Sequence, residues 1–171
     1  PDRLEATREA LRQAARGNDL IVTCGGMSVG EEDHMKPAVE REGRLDLWQI
    51  AMKPGKPLAF GEVRRPDGSH AWYIGLPGNP VSAFVTFVLA VRPFLLRLQG
   101  AAHLQPRRQP ARANFDWPTP DRRREFLRVR WNAGGGLELF ANQGSGVLTS
   151  LVWGDGLVDN PGGQAIAPGD T

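Results

Sequence analysis

Thr23-Cys24-Gly25-Gly26-Met27-Ser28-Val29-Gly30-Glu31-Glu32-Asp33 is the stretch that decides the reading of this chain. The residues from Leu20 to Thr23 form a short strand that runs into a glycine pair. Glycine reaches positive φ without a steric penalty and lets another group approach the backbone. Successive N–H groups in such a turn can converge on an anion. Ser28 adds a hydroxyl, Gly30 allows a second bend, and Glu31, Glu32 and Asp33 follow. Backbone donors followed by carboxylates suit a phosphate held with a divalent cation, because Mg²⁺ is usually bound by one or two carboxylates plus substrate phosphates. The same pattern fits a strand-to-helix turn with a solvated acidic cap, and a glycine pair alone does not choose between them. Two further loops of unusual composition favour a site.

The bulk properties narrow the function classes. A chain of 171 residues, 40% hydrophobic, can hold one domain or a domain with a small appendage. Its 21 basic and 19 acidic residues leave a net charge of +2, too balanced for a general nucleic-acid binder despite an isoelectric point near 9.2. The single cysteine, Cys24, excludes an intrachain disulfide and fits a reducing compartment. No apolar run reaches membrane-spanning length: the stretch from Val81 to Val91 contains Ser82 and Thr86 and ends at Arg92. No signal-peptide pattern opens the chain. The expectation is a cytoplasmic protein that contacts neither nucleic acid nor membrane.

On either side of the glycine pair the pattern alternates between helix and strand. Asp2-Arg3-Leu4-Glu5 has the form of a capping box, and Leu4, Ala10, Leu11, Ala14 and Ala15 give its helix an apolar face ended by Gly17. A second helix runs from near Asp33 to Arg41 and stops at Gly43, with Pro37 tolerable only near its first turn. Asp33 can therefore cap this helix or hold a metal, and the two roles compete for the same oxygens. Residues 45–52 read as a strand leading into Lys53-Pro54-Gly55-Lys56-Pro57. Two prolines and a turn glycine stiffen that loop, and its two ammonium groups suit an oxyanion or a solvated turn. Residues 58–63 and 71–74 form a hairpin around Pro66-Asp67-Gly68, whose Arg64, Arg65 and His70 are expected in solvent. Gly75-Leu76-Pro77-Gly78-Asn79-Pro80 then starts a helix, with Asn79 as N-cap and Pro80 at N1. That helix carries Val81, Phe84, Val85, Val88 and Leu89 on one face, its N-terminus offers free N–H groups to an anion, and Pro93 should kink it before Gly100. Residues 103–110 read as a linker. Short strands follow at 111–114, 125–131, 137–141, 147–151, 157–160 and 164–166, and the Arg122-Arg123-Arg124 run is read as a solvated turn.

Taken together, these motifs resemble the molybdopterin molybdenumtransferase family, which includes bacterial MoeA proteins and the E domain of gephyrin. The resemblance rests on Gly25-Gly26-Met27-Ser28-Val29-Gly30 with Asp33, on Met52-Lys53-Pro54-Gly55-Lys56-Pro57, and on Gly75-Leu76-Pro77-Gly78-Asn79-Pro80. Phe126, Arg128 and Gln143-Gly144-Ser145-Gly146 extend it into the C-terminal part. It implies an α/β fold: a three-layer α/β/α molybdopterin-binding domain over 1–102, incomplete at its N-terminus, a linker at 103–110, and an all-β barrel domain over 111–171. It further implies a piece of a longer protein, inactive or nearly so by itself.

The implied reaction inserts molybdate into adenylylated molybdopterin and releases AMP. Lys53, Lys56 and Pro57, with Arg128 and Ser145, match the molybdate pocket. Gly25, Gly26, Gly78, Asn79 and Pro80 match the loops that hold the pterin substrate. Ser28 and Asp33 match catalytic positions at the nucleotide end, where Asp33 would also bind Mg²⁺. The family resemblance also implies a homodimer and a molybdopterin adenylyltransferase partner. Gln49 departs from the lysine that many bacterial members carry there. Two other readings share parts of the pattern. A molybdopterin adenylyltransferase has the first loop but does not account for the β module, and a gephyrin-like scaffold uses the same fold to dock a receptor tail.

Overall fold

The computed structural model describes residues 3–26 and 34–171. The chain divides into two compact units, Pro1–Ile50 with Gly55–Asn79, and Ala51–Pro54 with Pro80–Thr171.

In the first unit, α1 (Leu4–Ala15) leads to β1 (Leu20–Cys24), then α2 (Met35–Glu42), β2 (Gly43–Gln49), β4 (Pro57–Arg64) and β5 (His70–Leu76). The intervening two-residue strand β3 (Met52–Lys53) belongs to the second unit. The sheet order is β1-β5-β4-β2, with β1 parallel to β5 and the other pairs antiparallel. One face of the sheet presents Ile21, Ala59, Val63, Ala71 and Tyr73 to Leu11 and Ala15 of α1 and to Ala38 and Val39 of α2. Val39 and Val63 are fully buried, each contributing about 1.5–2 kcal/mol through removal from water.

The helix boundaries follow the breakers. Gly17 adopts φ +73° just past α1, and Gly43 ends α2, in which Pro37 occupies the first turn. The expected capping box differs: Asp2 lies outside the described residues, α1 has Arg3 as N-cap without a side-chain cap bond, and Glu5 instead pairs with Arg8. Thr7, not Ala10, completes the buried stripe, its hydroxyl satisfied by donating to the Arg3 carbonyl. β1 is less buried than its composition implies, with only Ile21 enclosed. Strands β2 and β4 approach so closely that a Cβ on Gly61 would lie 2.2 Å from the Arg44 carbonyl oxygen. The strand expected over 45–52 is interrupted. It stops at Gln49, and Met52 and Lys53 form the separate strand β3.

The second unit begins with a 19-residue helical run, Pro80–Leu98, made of α3 (Pro80–Thr86), a π-helical turn (Phe87–Val91) and α4 (Arg92–Leu98). Pro93 offers no N–H to the carbonyl four residues earlier, and the helix shifts to wider bonding just before it, with Arg92 N–H donating to Phe87 O. The buried stripe is Val81, Ser82, Val85, Thr86 and Val91, while Phe84, expected inward, is 48% exposed. By length and composition this helix could cross a membrane, contrary to the sequence reading; 28% of its apolar window is buried, and the buried Thr86 hydroxyl bonds to Ser82 O.

Strand β6 (Arg124–Trp131) organises the rest, together with β7 (Leu137–Leu139), α5 (Thr149–Trp153) and β8 (Gly156–Asn160). Five consecutive β6 residues, Glu125 to Val129, are buried, as in a strand covered on both faces. Glu125 pairs with both Lys53 and Asn160, and Val129 with both Leu139 and Gly156. A strand has two edges, so β8 runs along one while β3 and β7 share the other, leaving a gap between them. The strand expected over 147–151 is instead the loop before α5 and its start. Ser150 turns inward there, leaving Leu148 and Val152 exposed. The expected strands at 111–114 and 164–166 contribute single bridges, Ala113 to Leu137 and Ile166 to Trp117. No closed barrel is traced by the strand pairings among the described residues.

Candidate functional site

The parallel pairing of β1 and β5 brings two of the three loops together. Register partners Thr23 and Gly75, then Cys24 and Leu76, end both strands at one level. Gly25 and Gly26 follow with φ of +83° and +67°, and Gly25 N–H donates to the Leu76 carbonyl at 3.0 Å. A Cβ on Gly78 would stand 3.5 Å from Gly25 Cα, so the two loops touch backbone to backbone. Beneath them Thr23 Oγ1 and the buried Tyr73 hydroxyl share a 2.8 Å hydrogen bond. The carboxyl ends of parallel strands are where open α/β sheets bind ligands. Gly78, Asn79 and Pro80 are exposed at this end. Ser28 and the whole acidic run, Glu31, Glu32 and Asp33, lie outside the described residues. Lys56 is exposed, its carbonyl accepting from Ile50 N–H at 3.0 Å, and Pro57 opens β4.

In the second unit a cavity of about 310 Å³ opens at the gap in the β6 edge. Lys53, Trp117, Glu125, Arg128, Gln143 and Gly144 are among its lining residues. Gln143 fills the place of a missing strand: its Oε1 accepts from Arg128 N–H at 2.9 Å, and its Nε2 donates to Arg128 O at 3.0 Å. Arg128 is 1% exposed, yet among the described residues none of its hydrogen-bond partners is a carboxylate. Nε donates to Ser150 Oγ at 3.2 Å, and Nη2 to the carbonyls of Gly144 at 3.1 Å and Asn142 at 3.4 Å. Burial lowers the pKa of this guanidinium below its ordinary value.

Lys53 is not free. Its Nζ stands 3.3 Å from Glu125 Oε1 and 3.5 Å from Asp121 Oδ2. Glu125 is also 1% exposed; its Oε2 accepts from Trp117 Nε1–H at 2.7 Å and Asp121 N–H at 3.1 Å. Oε1 is buried without a hydrogen bond, leaving the Lys53 ammonium as its close cationic contact. Asp121 is held by Arg123, whose Nε and Nη2 reach its two oxygens at 2.9 and 2.8 Å, and this pairing draws its pKa down. The expected anion site at the helix N-terminus is partly filled by protein, since Val81 N–H donates to the Ser145 carbonyl at 3.1 Å.

The structure thus places Lys53 and Arg128 on one cavity, with Ser145 next to its lining residue Gly144. Lys56 and Pro57 belong to the first unit. Asp121, Glu125 and Ser150 are missed by sequence reasoning. The available signal is a charged pair, Glu125 and Arg128, embedded among Phe126, Leu127 and Val129, where a strand interior should be apolar. Among the described residues no cluster of three His, Cys, Asp or Glu side chains could hold a metal.

Comparison with known proteins divides the chain into two family regions, and their break, between 97 and 110, falls after the Asn79/Pro80 division of the compact units. The family model described as a probable molybdopterin binding domain matches residues 1–97, and that described as the MoeA C-terminal region (domain IV) matches residues 110–171. The molybdopterin molybdenumtransferase of Haemophilus influenzae is 47% identical over 100 residues, covering 58% of this chain and 24% of the relative. The molybdenum cofactor synthesis protein cinnamon of Drosophila melanogaster is 33% identical over 174 residues, covering 98% of this chain and 28% of its own length. The crystal structure of the molybdopterin biosynthesis moea protein from Pyrococcus horikosii superposes with a TM-score of 0.77 at 30% identity, covering 98% of this chain and 39% of that one. The chain therefore spans between about a quarter and two fifths of the length of these relatives.

Proposed function

The chain belongs to the MoeA-type molybdopterin-binding family, and from that premise we propose that it is the molybdate-handling part of a molybdopterin molybdenumtransferase. In this reading the protein transfers molybdate to the dithiolene of adenylylated molybdopterin and AMP leaves. The observation that carries it is Arg128: a buried guanidinium bonded, among the described residues, only to neutral acceptors, beside a cavity that also receives Lys53. A buried cation without a carboxylate is costly unless an anion completes it. A tetrahedral dianion suits this cation, because arginine presents several N–H donors in a fixed plane.

Within the proposal, Lys53, Lys56 and Arg128 neutralise molybdate, Ser145 donates its hydroxyl, and Pro57 supplies a rigid wall. The loops at Gly25, Gly26, Gly78, Asn79 and Pro80 hold the pterin substrate, their exposed backbone suiting its phosphates. Ser28 acts at the nucleotide end. Mg²⁺ bound through Asp33 would neutralise the pyrophosphate; the described residues contain no cluster of their own for it, so its further ligands would come from elsewhere. On the family resemblance alone, the proposal extends to a cytoplasmic homodimer that takes its substrate from a molybdopterin adenylyltransferase. Because the relatives are longer, the 171 residues are proposed to bind but not to turn over.

The test is AMP release from adenylylated molybdopterin by the protein carrying this chain, with and without molybdate. Release that requires molybdate, and is suppressed by Arg128→Met, is expected. Release that ignores molybdate would favour a different enzyme.

A further inference from the structure

We infer that Glu125 and Asp121 form a carboxylate latch on Lys53, which an incoming oxyanion must displace, making them positioning residues that set the affinity of the site. This rests on the oxyanion reading of the cavity.

The backbones of Lys53 and Glu125 are register partners in the parallel pairing of β3 with β6. The sheet therefore fixes their separation, and only the lysine side chain, 42% exposed, is free to change partner. Its contacts at 3.3 and 3.5 Å are longer than a charge-assisted bond of about 2.7–2.9 Å. The ammonium is shared between two oxygens and clamped by neither. The two carboxylates are not equivalent. Asp121 keeps a bidentate Arg123 when Lys53 departs. Glu125 keeps two donors on Oε2 and none on Oε1, leaving a buried charge without its cation.

Recruiting Lys53 to an oxyanion thus exposes Glu125 to the cost of an uncompensated buried carboxylate. That cost opposes binding and is recovered when the oxyanion leaves. Such a site holds its anion weakly and hands it on, which suits a transferase better than a store. Glu125 carries most of the latch and Asp121 less.

The test is calorimetric titration of molybdate into the 171-residue protein and its variants. Glu125→Gln should tighten binding about tenfold and Asp121→Asn about threefold, while Lys53→Ala should weaken it about tenfold, each within the range of interactions in one charge network. Coupling is the decisive readout: in the Lys53→Ala background the Glu125→Gln gain should shrink to about twofold or less. A gain undiminished without Lys53, or no gain in its presence, overturns the latch. If Glu125→Gln does not fold, Asp121→Asn decides in the same two backgrounds. Wild-type binding unaffected by Lys53→Ala removes Lys53 from the oxyanion reading, and the latch falls with it. Binding by Glu125→Gln where wild type shows none supports the latch, and no binding by any variant overturns the oxyanion reading itself.

Discussion

Replacing Arg128 by methionine keeps an unbranched side chain and removes the charge. Three hydrogen bonds are lost, to Ser150 Oγ at 3.2 Å, Gly144 O at 3.1 Å and Asn142 O at 3.4 Å. All are long for charge-assisted bonds, so each contributes at the low end, about 1 kcal/mol. Against them stands the desolvation of a guanidinium that has no carboxylate, several kcal/mol after relaxation. Burial depresses the Arg128 pKa, the direction that desolvation of a guanidinium dictates. Arg128→Met is therefore expected to raise the unfolding free energy by about 1 kcal/mol. With a urea slope near 2 kcal/mol per molar, the midpoint should rise by roughly 0.5 M. Molybdate affinity, measured by calorimetry on the same sample, should fall by about 100-fold, the equivalent of one strong charge-assisted contact of about 3 kcal/mol. A variant destabilised by about 2 kcal/mol or more that still binds molybdate normally would refute the argument. Arg128 would then be a structural clamp for the loop at 142–144 and not a cation awaiting an anion.

Further outcomes follow from the same geometry. Arg65 donates through Nε to Ala15 O and through Nη2 to Asn18 O, both at 2.6 Å, so Arg65→Ala should cost about 1–2 kcal/mol in thermal or urea unfolding. Gly61→Ala places a Cβ against a carbonyl oxygen of β2 and should destabilise the first unit by about 3 kcal/mol, whereas Gly68→Ala, with open space but φ +84°, should cost about 1 kcal/mol. Asp121 has its folded pKa lowered, chiefly by its hydrogen bonds from Arg123, so its stabilisation is complete above the ordinary value of 3.8 and is lost as pH falls below it. Asp121→Asn should accordingly flatten the acid limb of the stability profile below that pH and leave the alkaline limb unchanged.

Local chemistry was readable wherever a breaker or a turn decided it. The hairpin from β4 to β5 closes around Pro66-Asp67-Gly68 with Arg64 opposite His70, and Asp67 accepts from Ser69 N–H, as a turn carboxylate does. Gly43 ends α2 and Pro80 begins α3 for reasons contained in a few residues. What escaped depends on contacts distant in sequence. Arg65 looked solvated because the carbonyls it binds belong to α1 and its following turn, nearly fifty residues earlier. Phe84 shared the helical spacing of the buried residues, but Ser82 and Thr86, with Thr86 bonding to the backbone, took the inward stripe. Residues 147–151 have strand composition, yet Arg128 and Val147 draw the Ser150 hydroxyl inward and set the turn that begins α5. At the candidate site, Lys53 and Arg128 were visible as cations. Their surroundings were not: the carboxylates that hold one, and the absence of any that holds the other, appear only when β3 lies against β6.

The most direct measurement is an anomalous difference map from crystals soaked in molybdate. The account predicts a molybdenum peak in the cavity lined by Lys53, Glu125, Arg128 and Gln143, with Lys53 Nζ drawn away from Glu125. Saturating molybdate that leaves this cavity without a peak, and Lys53 still against Glu125, would contradict it.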